Sequence, residues 1–296
     1  MNEIKQILDF ENNGVCMAID EGFLYLGSKG SIFKYQLNDM SLITQIKITR
    51  YKEKNMYSMV FFSIYADYVF VCDFRDLHVL KKGDLSLLST VQLGENISSD
   101  VLGMIHFDFP NAYVSICNGR IDILNIQTGE VSQHKICDAS SWSNCVIGDK
   151  LYYSTTKGGL LEININTMEI MRMVQLTKNM NIYSVVLHND MLYTTSERSI
   201  RVVDIDSFDI VQEGTEPLYT TEANIIGIYN KNLVIAEHRS IALYYADLLY
   251  LYKRFSFPTG YRFLRYAVMD ENKIYGSDEH GIYCCALGEL SFKKLT

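Results

Sequence analysis

The sequence predicts an all-β protein, a single seven-bladed β-propeller with four antiparallel strands in each blade. Three observations lead to this fold: a segment that recurs seven times, a spacing of about 42 residues between its copies, and short β-rich runs separated by turn residues. Repeats of roughly 40–50 residues, each holding four short strands, are typical of propeller blades. Seven such units occupy nearly all of the 296 residues.

The recurring segment is a β-rich run that ends in small or polar residues, such as Met-Leu-Tyr-Thr-Thr-Ser at residues 191–196. One apolar residue in each copy marks a position that we expect to be equivalent on the second strand, strand B, of every blade. The seven markers are Leu24, Val69, Tyr113, Leu151, Leu192, Leu233 and Ile274. Because β-branched and aromatic residues dominate and no 3.6-residue periodicity is sustained, we expect almost no helix.

The fifth unit shows the order of the strands most clearly. Residues 182–187 read as strand A, 191–196 as strand B, 200–205 as strand C and 208–212 as strand D. Gly, Asn and Asp residues between these runs supply the positive φ angles that hairpins need. Applied to the whole chain, the pattern predicts blades over approximately residues 14–48, 56–93, 101–136, 141–176, 181–213, 223–257 and 262–296.

Both ends of the chain read as outer strands, one within residues 1–10 and one at 290–295. A ring of blades leaves only short outer edges, so its first and last units must meet. One terminal strand is expected to complete the last blade, and the other to lie beside it as an extra strand. The sequence does not rank these two arrangements.

Composition and charge narrow the classes of partner. The net charge of −8 disfavours duplex nucleic acid and anionic membranes, which both reward a basic surface. No apolar run is long enough to span a bilayer, and the first residues lack the pattern of a signal peptide, so we expect a cytoplasmic protein. Seven cysteines without a Cys-x-x-Cys pair indicate free thiols in a reducing compartment.

The repeat pattern, clearest at residues 151–169 and 192–209, combines a Leu-Tyr strand B with a strand C that ends in Asp or Asn. It resembles bacterial repeat propellers of the quinoprotein-like, surface-layer-like and WD-repeat-like group. The Trp-Asp ending of true WD repeats and the docking tryptophans of quinone-dependent dehydrogenases are absent, since Trp142 is the only tryptophan. The resemblance therefore implies the fold but no particular activity and no cofactor.

A binding site is expected on one side of the ring, here called the loop face, where the B–C turns and the D–A loops lie together. Four B–C turns carry a cation two positions before the first apolar residue of strand C: Arg75, Arg198, Arg239 and His280. The D–A loops on the same face add Trp142 and Tyr183. Cations and aromatic groups around a concavity suit recognition of a protein, a peptide or a small anionic ligand.

A second contact surface is expected on the outer strand of blade 6. Tyr250, Leu251 and Tyr252 lie in a run that is apolar or aromatic at nearly every position, whereas an outer strand exposes one face and one edge. This pattern indicates a protein contact, with a homodimer as one form of it. The alternative is that a neighbouring loop or terminus covers the strand.

The sequence therefore favours a non-enzymatic binding or scaffolding module. The alternative is an enzyme of the lactonase or lyase type, with its site at the same rim. His238 and His280 fall in equivalent turns with carboxylates beside them, and such groups can ligate a metal or transfer protons. No recognised catalytic or metal-binding motif supports this alternative, so no catalytic residue and no metal site is predicted.

Overall fold

The structure of the protein is a computed structural model, and its fold is a ring of seven sheets. Each sheet has four antiparallel strands, which confirms the predicted seven-bladed β-propeller. The structure describes residues 5–9, 16–28, 30–48, 61–73, 76–93, 105–196, 198–214, 217–218, 223–237, 240–256, 267–277 and 281–287.

The strands are named A to D from the centre of the ring outwards. The A strands are Cys16–Asp20, Phe61–Tyr65, Ile105–Asp108, Asn144–Ile147, Ile182–His188, Asn224–Tyr229 and Val268–Asp270. The B strands are Phe23–Ser28, Tyr68–Asp73, Asn111–Ile116, Lys150–Ser154, Met191–Ser196, Asn232–Glu237 and Lys273–Ser277. The C strands are Ser31–Gln36, Asp76–Lys81, Arg120–Asn125, Gly159–Asn164, Ser199–Asp204, Ser240–Tyr245 and Gly281–Ala286. The D strands of blades 1–6 are Leu42–Lys47, Leu87–Gln92, Val131–Lys135, Ile170–Gln175, Ile210–Glu213 and Tyr250–Ser256.

The beginning of the chain supplies the outer strand of the last blade. Lys5–Asp9 pairs antiparallel with strand C of blade 7, with Lys5 opposite Cys284 and Asp9 opposite Gly281. The ring is thus closed by hydrogen bonds between distant parts of the sequence. The other candidate outer strand, at residues 290–295, lies outside the described residues.

All seven markers lie on B strands, but one of them is out of register by one residue. Leu24 and Val69 pair with the fifth residue of their C strands, Tyr35 and Leu80. In blade 3 the residue in this register is Ala112, opposite Leu124, and not Tyr113. The marker is the second residue of each recurring segment, and the segment of blade 3 was taken to begin at Ala112, whereas the strand begins at Asn111.

A residue with positive φ recurs in the C–D turn, and in blades 2, 4, 5 and 6 it is buried. Phe208 has a φ of 61° and yet is only 5% exposed. Its ring lies 6.2 Å from that of Tyr152 and 4.8 Å from the Arg172 guanidinium, both in the preceding blade. A left-handed backbone is unfavourable for such a residue, so burial between blades must offset that cost. The equivalent turn residues with positive φ are Met40, Leu85, Gly129, Met168 and Leu249.

Side-chain oxygens hold these turns in shape. In blade 4, Asn164 Oδ1 accepts hydrogen bonds from the backbone N–H groups of Asn166 and Thr167, at 2.9 and 3.1 Å. Asn125 and Asp204 do the same in blades 3 and 5. In these three blades the acceptor oxygen holds the turn, and the two asparagines show that no negative charge is needed. Blades 1, 2 and 6 have Gln36, Lys81 and Tyr245 at this position.

We expect Asn164→Ala to lower the free energy of unfolding by about 1 kcal/mol, because two turn N–H groups lose their partner. Asn164→Asp keeps the acceptor and should leave stability close to that of the wild type. Urea unfolding of the three proteins measures the difference. Equal losses in both variants would show that the amide, not the acceptor oxygen, holds the turn.

Regular helix is nearly absent from the described part of the chain, where Cys117–Gly119 forms a single 3-10 turn. None of the described residues builds a helix with the length and apolar character needed to cross a bilayer. Cys16 and Cys145 are free thiols, and burial raises the pKa of each to about 12. Both therefore remain protonated at neutral pH and are poor nucleophiles.

Candidate functional site

The loop face is best described in blades 3–5, where each B–C turn is tied to the segment that follows strand D. The carbonyl groups of Gly119, Gly158 and Arg198 accept hydrogen bonds from Ile136, Leu176 and Leu218, at 2.8, 2.8 and 2.7 Å. These three turn residues all have positive φ, between 64° and 82°. These hydrogen bonds therefore fix the D–A loops of these blades to the B–C turns.

Trp142 and Tyr183 lie together on this face, with ring centroids 6.3 Å apart and ring planes inclined by 30°. The Asn181 amide donates a hydrogen bond of 3.0 Å to the Tyr183 hydroxyl. Trp142 Nε1 is buried and has no hydrogen-bond partner in the described part of the protein. A buried N–H without an acceptor costs about 1–3 kcal/mol.

The loop that carries Trp142 is fixed by buried serines. Ser141 Oγ donates to the Ser143 carbonyl at 3.0 Å, and the Val185 N–H of the next blade donates to Ser143 Oγ at 3.0 Å. Ser154 Oγ also donates to the Ser143 carbonyl, at 2.7 Å. The chain is therefore anchored on both sides of Trp142, which holds this residue in place before a partner binds.

Of the four cations predicted at the rim, Arg198 is the one that lies within the described residues. It is exposed and has a φ of 64°, where the equivalent residues Gly30, Gly119 and Gly158 are glycines at 74°, 72° and 82°. Its Nε donates to the Leu218 carbonyl at 2.9 Å, while the Leu218 N–H donates to the Arg198 carbonyl. This two-way clamp gives Arg198 a structural role in positioning the blade 5 loop, in addition to the charge that it presents.

Two exposed lysines lie in the loops around the aromatic pair. Lys157 follows Thr156, whose N–H donates to the Ser140 carbonyl at 2.9 Å, two residues before Trp142. Lys178 lies in the next D–A loop, which also carries Asn181. Lys135 is already paired with Asp138, at 3.1 Å. The same loops contain Glu197, Glu216 and Glu222 outside the described residues.

Several other residues singled out on this face do not join the aromatic pair. Arg75, Arg239 and His280 lie outside the described residues, as does His238. Asn144, the first residue of strand A in blade 4, is buried and donates to Ser115 Oγ of the preceding blade, so it has a structural role. Within the described ranges, no group of three His, Cys, Asp or Glu residues is placed to hold a metal ion.

The outer strand of blade 6 is apolar on both faces for a structural reason. Leu251 packs against the core between blades 5 and 6, and Tyr252 against the core between blades 6 and 7. Tyr250 is 56% exposed, and the adjoining turn adds Leu248 at 70%. Leu248 was not predicted as a contact residue. Its place in a C–D turn between two strands is the signal that could have identified it.

No protein-family model matches the chain, and no curated protein matches it either. Solved structures do. The chain has the fold of WD40 and BamB propellers. The resemblance to WD-like and quinoprotein-like repeat propellers is therefore confirmed at the level of the fold.

Three solved structures illustrate the similarity. The WD40 domain of Pan2 from Neurospora crassa superposes with a TM-score of 0.73 and 11% identity, over 92% of this chain and 88% of that one. The computationally designed Ika8 protein gives 0.68 and 10% identity, over 95% and 99%. BamB from Moraxella catarrhalis gives 0.64 and 14% identity, over 94% and 85%. Identities this low establish the fold alone, so the function must be argued from the site.

Proposed function

We propose that the protein is a non-catalytic recognition module that binds a segment of a partner protein on its loop face, over Trp142 and Tyr183. The observation that carries this proposal is the buried, unpaired indole N–H of Trp142 beside a second aromatic ring. A backbone carbonyl or a carboxylate of a bound segment would supply the missing acceptor. Aromatic residues of this kind are enriched among the residues that contribute most to binding at protein interfaces.

The surroundings of the pair support a peptide segment with at least one acidic residue. Lys157, Lys178 and Arg198 are exposed on the described part of this face. The exposed carboxylates described there are Asp138 and Glu213, which pair with Lys135 and Arg201. A cation near an aromatic site attracts a carboxylate. The fixed loops keep the ordering cost of binding small, because little of the site has to be immobilised.

A selection of random peptides displayed on phage tests the proposal. We expect the enriched peptides to contain Asp or Glu beside an apolar residue, and to bind less tightly as salt is raised. Trp142→Ala should weaken their binding by at least about tenfold, as is usual for a central aromatic contact. Tyr250→Ala, a change of a more exposed aromatic residue on the outer surface, should leave binding unchanged. Peptides that bind Trp142→Ala as tightly as the wild type would refute the proposed site.

A further inference from the structure

The side of the ring opposite the loop face, here called the turn face, is strongly acidic. It carries the seven A–B turns and the C–D turns of blades 1–6, all of which the structure describes. Two of the residues between these strands are lysines, Lys82 and Lys231. Twelve are carboxylates: Glu21, Asp39, Asp67, Asp84, Glu130, Asp149, Glu169, Asp190, Asp206, Asp209, Asp247 and Glu271. The difference, 2 − 12 = −10, exceeds the net charge of −8 of the whole chain.

Turn chemistry accounts for only part of this charge. Asp39 and Asp84 accept the backbone N–H groups of Ser41 and Ser86, both at 2.9 Å. The hydroxyl groups of Thr128, Thr167 and Ser207 do the same at the equivalent position of blades 3–5, so that position does not require a carboxylate.

Among the described residues, one carboxylate of these turns forms an ion pair: Glu21 pairs with Lys82, at 3.1 Å. Two cations of the strands also reach these turns, since Lys34 Nζ donates to the Lys82 and Gly83 carbonyls and Arg172 donates to the Asp206 carbonyl. The negative charge that remains would attract a basic partner over roughly one Debye length.

Apolar side chains are exposed on the outer strands of blades 4–6 and in the C–D turn of blade 6. Met171 and Met173 in blade 4 are 51% and 65% exposed, and Val211 in blade 5 is 54% exposed. In blade 6, Leu248 and Tyr250 are 70% and 56% exposed. Exposed apolar patches of this kind, rimmed by charge, mark interaction surfaces in soluble proteins.

Hydrogen bonds between neighbouring blades make this surface continuous. Arg172 in blade 4 donates to the backbone carbonyls of Ile205 and Asp206 in blade 5, at 2.9 and 2.6 Å. Gln212 in blade 5 donates to the Asp247 carbonyl in blade 6, at 3.3 Å. Each bond joins an outer strand to the C–D turn of the next blade, so the exposed apolar residues and the acidic turns alternate along one surface.

The outer strands of blades 1 and 2 also expose apolar residues, but fewer of them. Leu42 with Ile43, and Leu87 with Leu88, are pairs of exposed apolar residues at the starts of strand D. Two exposed apolar residues at the start of strand D are therefore a common feature of the repeat. The repeat does not account for Met173 and Leu248, the most exposed of the large apolar residues described.

We propose that the exposed apolar outer strands of blades 4–6, together with the acidic turns at their ends, bind a basic amphipathic segment of a partner protein. Apolar residues of that segment cover Val211, Leu248 and Tyr250, and its lysines or arginines meet Asp206, Asp209 and Asp247. Charge complementarity selects this occupant. A second copy of the chain would bring two acidic turn faces towards each other, which opposes association.

This surface is separate from the loop face, so the proposal does not depend on the site at Trp142. If both hold, the ring connects two partners of opposite charge, an acidic segment on the loop face and a basic one on the outer strands. The failure of one would leave the other intact, and variants of each site serve as controls for the other.

The test uses a synthetic amphipathic helix of leucine and lysine, about 14 residues or roughly four turns long, and an unpatterned peptide of the same charge. We expect the amphipathic peptide to bind at least about tenfold more tightly than the unpatterned one, and more weakly as salt rises. Leu248→Ser with Tyr250→Ser should weaken its binding by about tenfold or more. Asp206→Asn, Asp209→Asn and Asp247→Asn together should weaken it and flatten its salt dependence.

Leu87→Ser with Leu88→Ser is the matched control in blade 2, and Trp142→Ala is the control on the loop face; neither should change binding. Equal binding of the two peptides, or equal loss in the blade 2 control, would overturn the proposal, because the attraction would then be general to an acidic protein. A dimer in analytical ultracentrifugation that Leu248→Ser dissociates would also overturn it, since a second copy would then occupy the surface.

Discussion

Glu237→Ala is expected to lower the free energy of unfolding by about 3–5 kcal/mol, because it removes the buried carboxylate that accepts two hydrogen bonds from the Arg254 guanidinium. The Glu237 carboxylate is fully buried and accepts hydrogen bonds from Arg254 Nε and Nη2, at 2.8 and 3.0 Å. Ser240 Oγ donates to the same carboxylate, and Arg254 Nη2 donates to the Tyr244 hydroxyl at 3.1 Å. The network ties the end of strand B to the outer strand.

Two further variants separate the cost of removing one partner of the ion pair from the loss of packing. Glu237→Leu with Arg254→Met replaces the pair by apolar residues of similar volume and should recover most of the lost stability. Asp138→Ala removes the exposed partner of Lys135 and should have little effect. Chemical denaturation provides all four free energies. A loss in Glu237→Ala no larger than that in Asp138→Ala would contradict the interpretation of the network.

Gly119→Ala is expected to destabilise the protein by at least about 3 kcal/mol, since it combines backbone strain with overlap against rigid backbone atoms. Gly119 has a φ of 72°, and an added Cβ would lie 2.2 Å from the Cys137 carbonyl oxygen and 2.8 Å from that of Ala139. These atoms belong to the D–A loop that leads to Trp142. The variant should therefore also weaken binding at the loop face.

Gly129→Ala is the matched control for this prediction. Gly129 has a φ of 76°, but nothing lies within 4 Å of an added Cβ. Its cost should be the backbone strain alone, about 1 kcal/mol. Thermal unfolding compares the two variants directly. Equal destabilisation would mean that the B–C turn of blade 3 is not pressed against its D–A loop.

Sequence periodicity was sufficient for the fold because each blade repeats the same alternation of strand and turn. The error at Tyr113 shows the limit of this reasoning, since register is set by backbone pairing, which begins the strand at Asn111. The cation at Arg198 was also visible, in a turn where other blades use glycine. The hydrogen bonds between Arg198 and Leu218 could not be predicted, because Leu218 lies 20 positions further along the chain.

Trp142 and Tyr183 are two of the predicted site residues, and their role in binding stays a prediction. The repeat alone places Trp142 in a D–A loop and Tyr183 at the start of strand A in blade 5. The unpaired state of the indole N–H depends on which serine and backbone groups surround it, and no pattern in the sequence records that. The acidic turn face differs: once the strand boundaries are known, the charge of every turn can be read from the sequence.

The fluorescence of Trp142 tests the proposed site most directly, because it is the only tryptophan in the chain. A peptide selected on the loop face is titrated into the wild-type protein while the emission spectrum and its quenching by acrylamide are measured. We predict that the emission changes and the quenching decreases, with the same dissociation constant that the anisotropy of a labelled peptide reports. Saturable binding of that peptide with no change in either property of Trp142 would contradict the site.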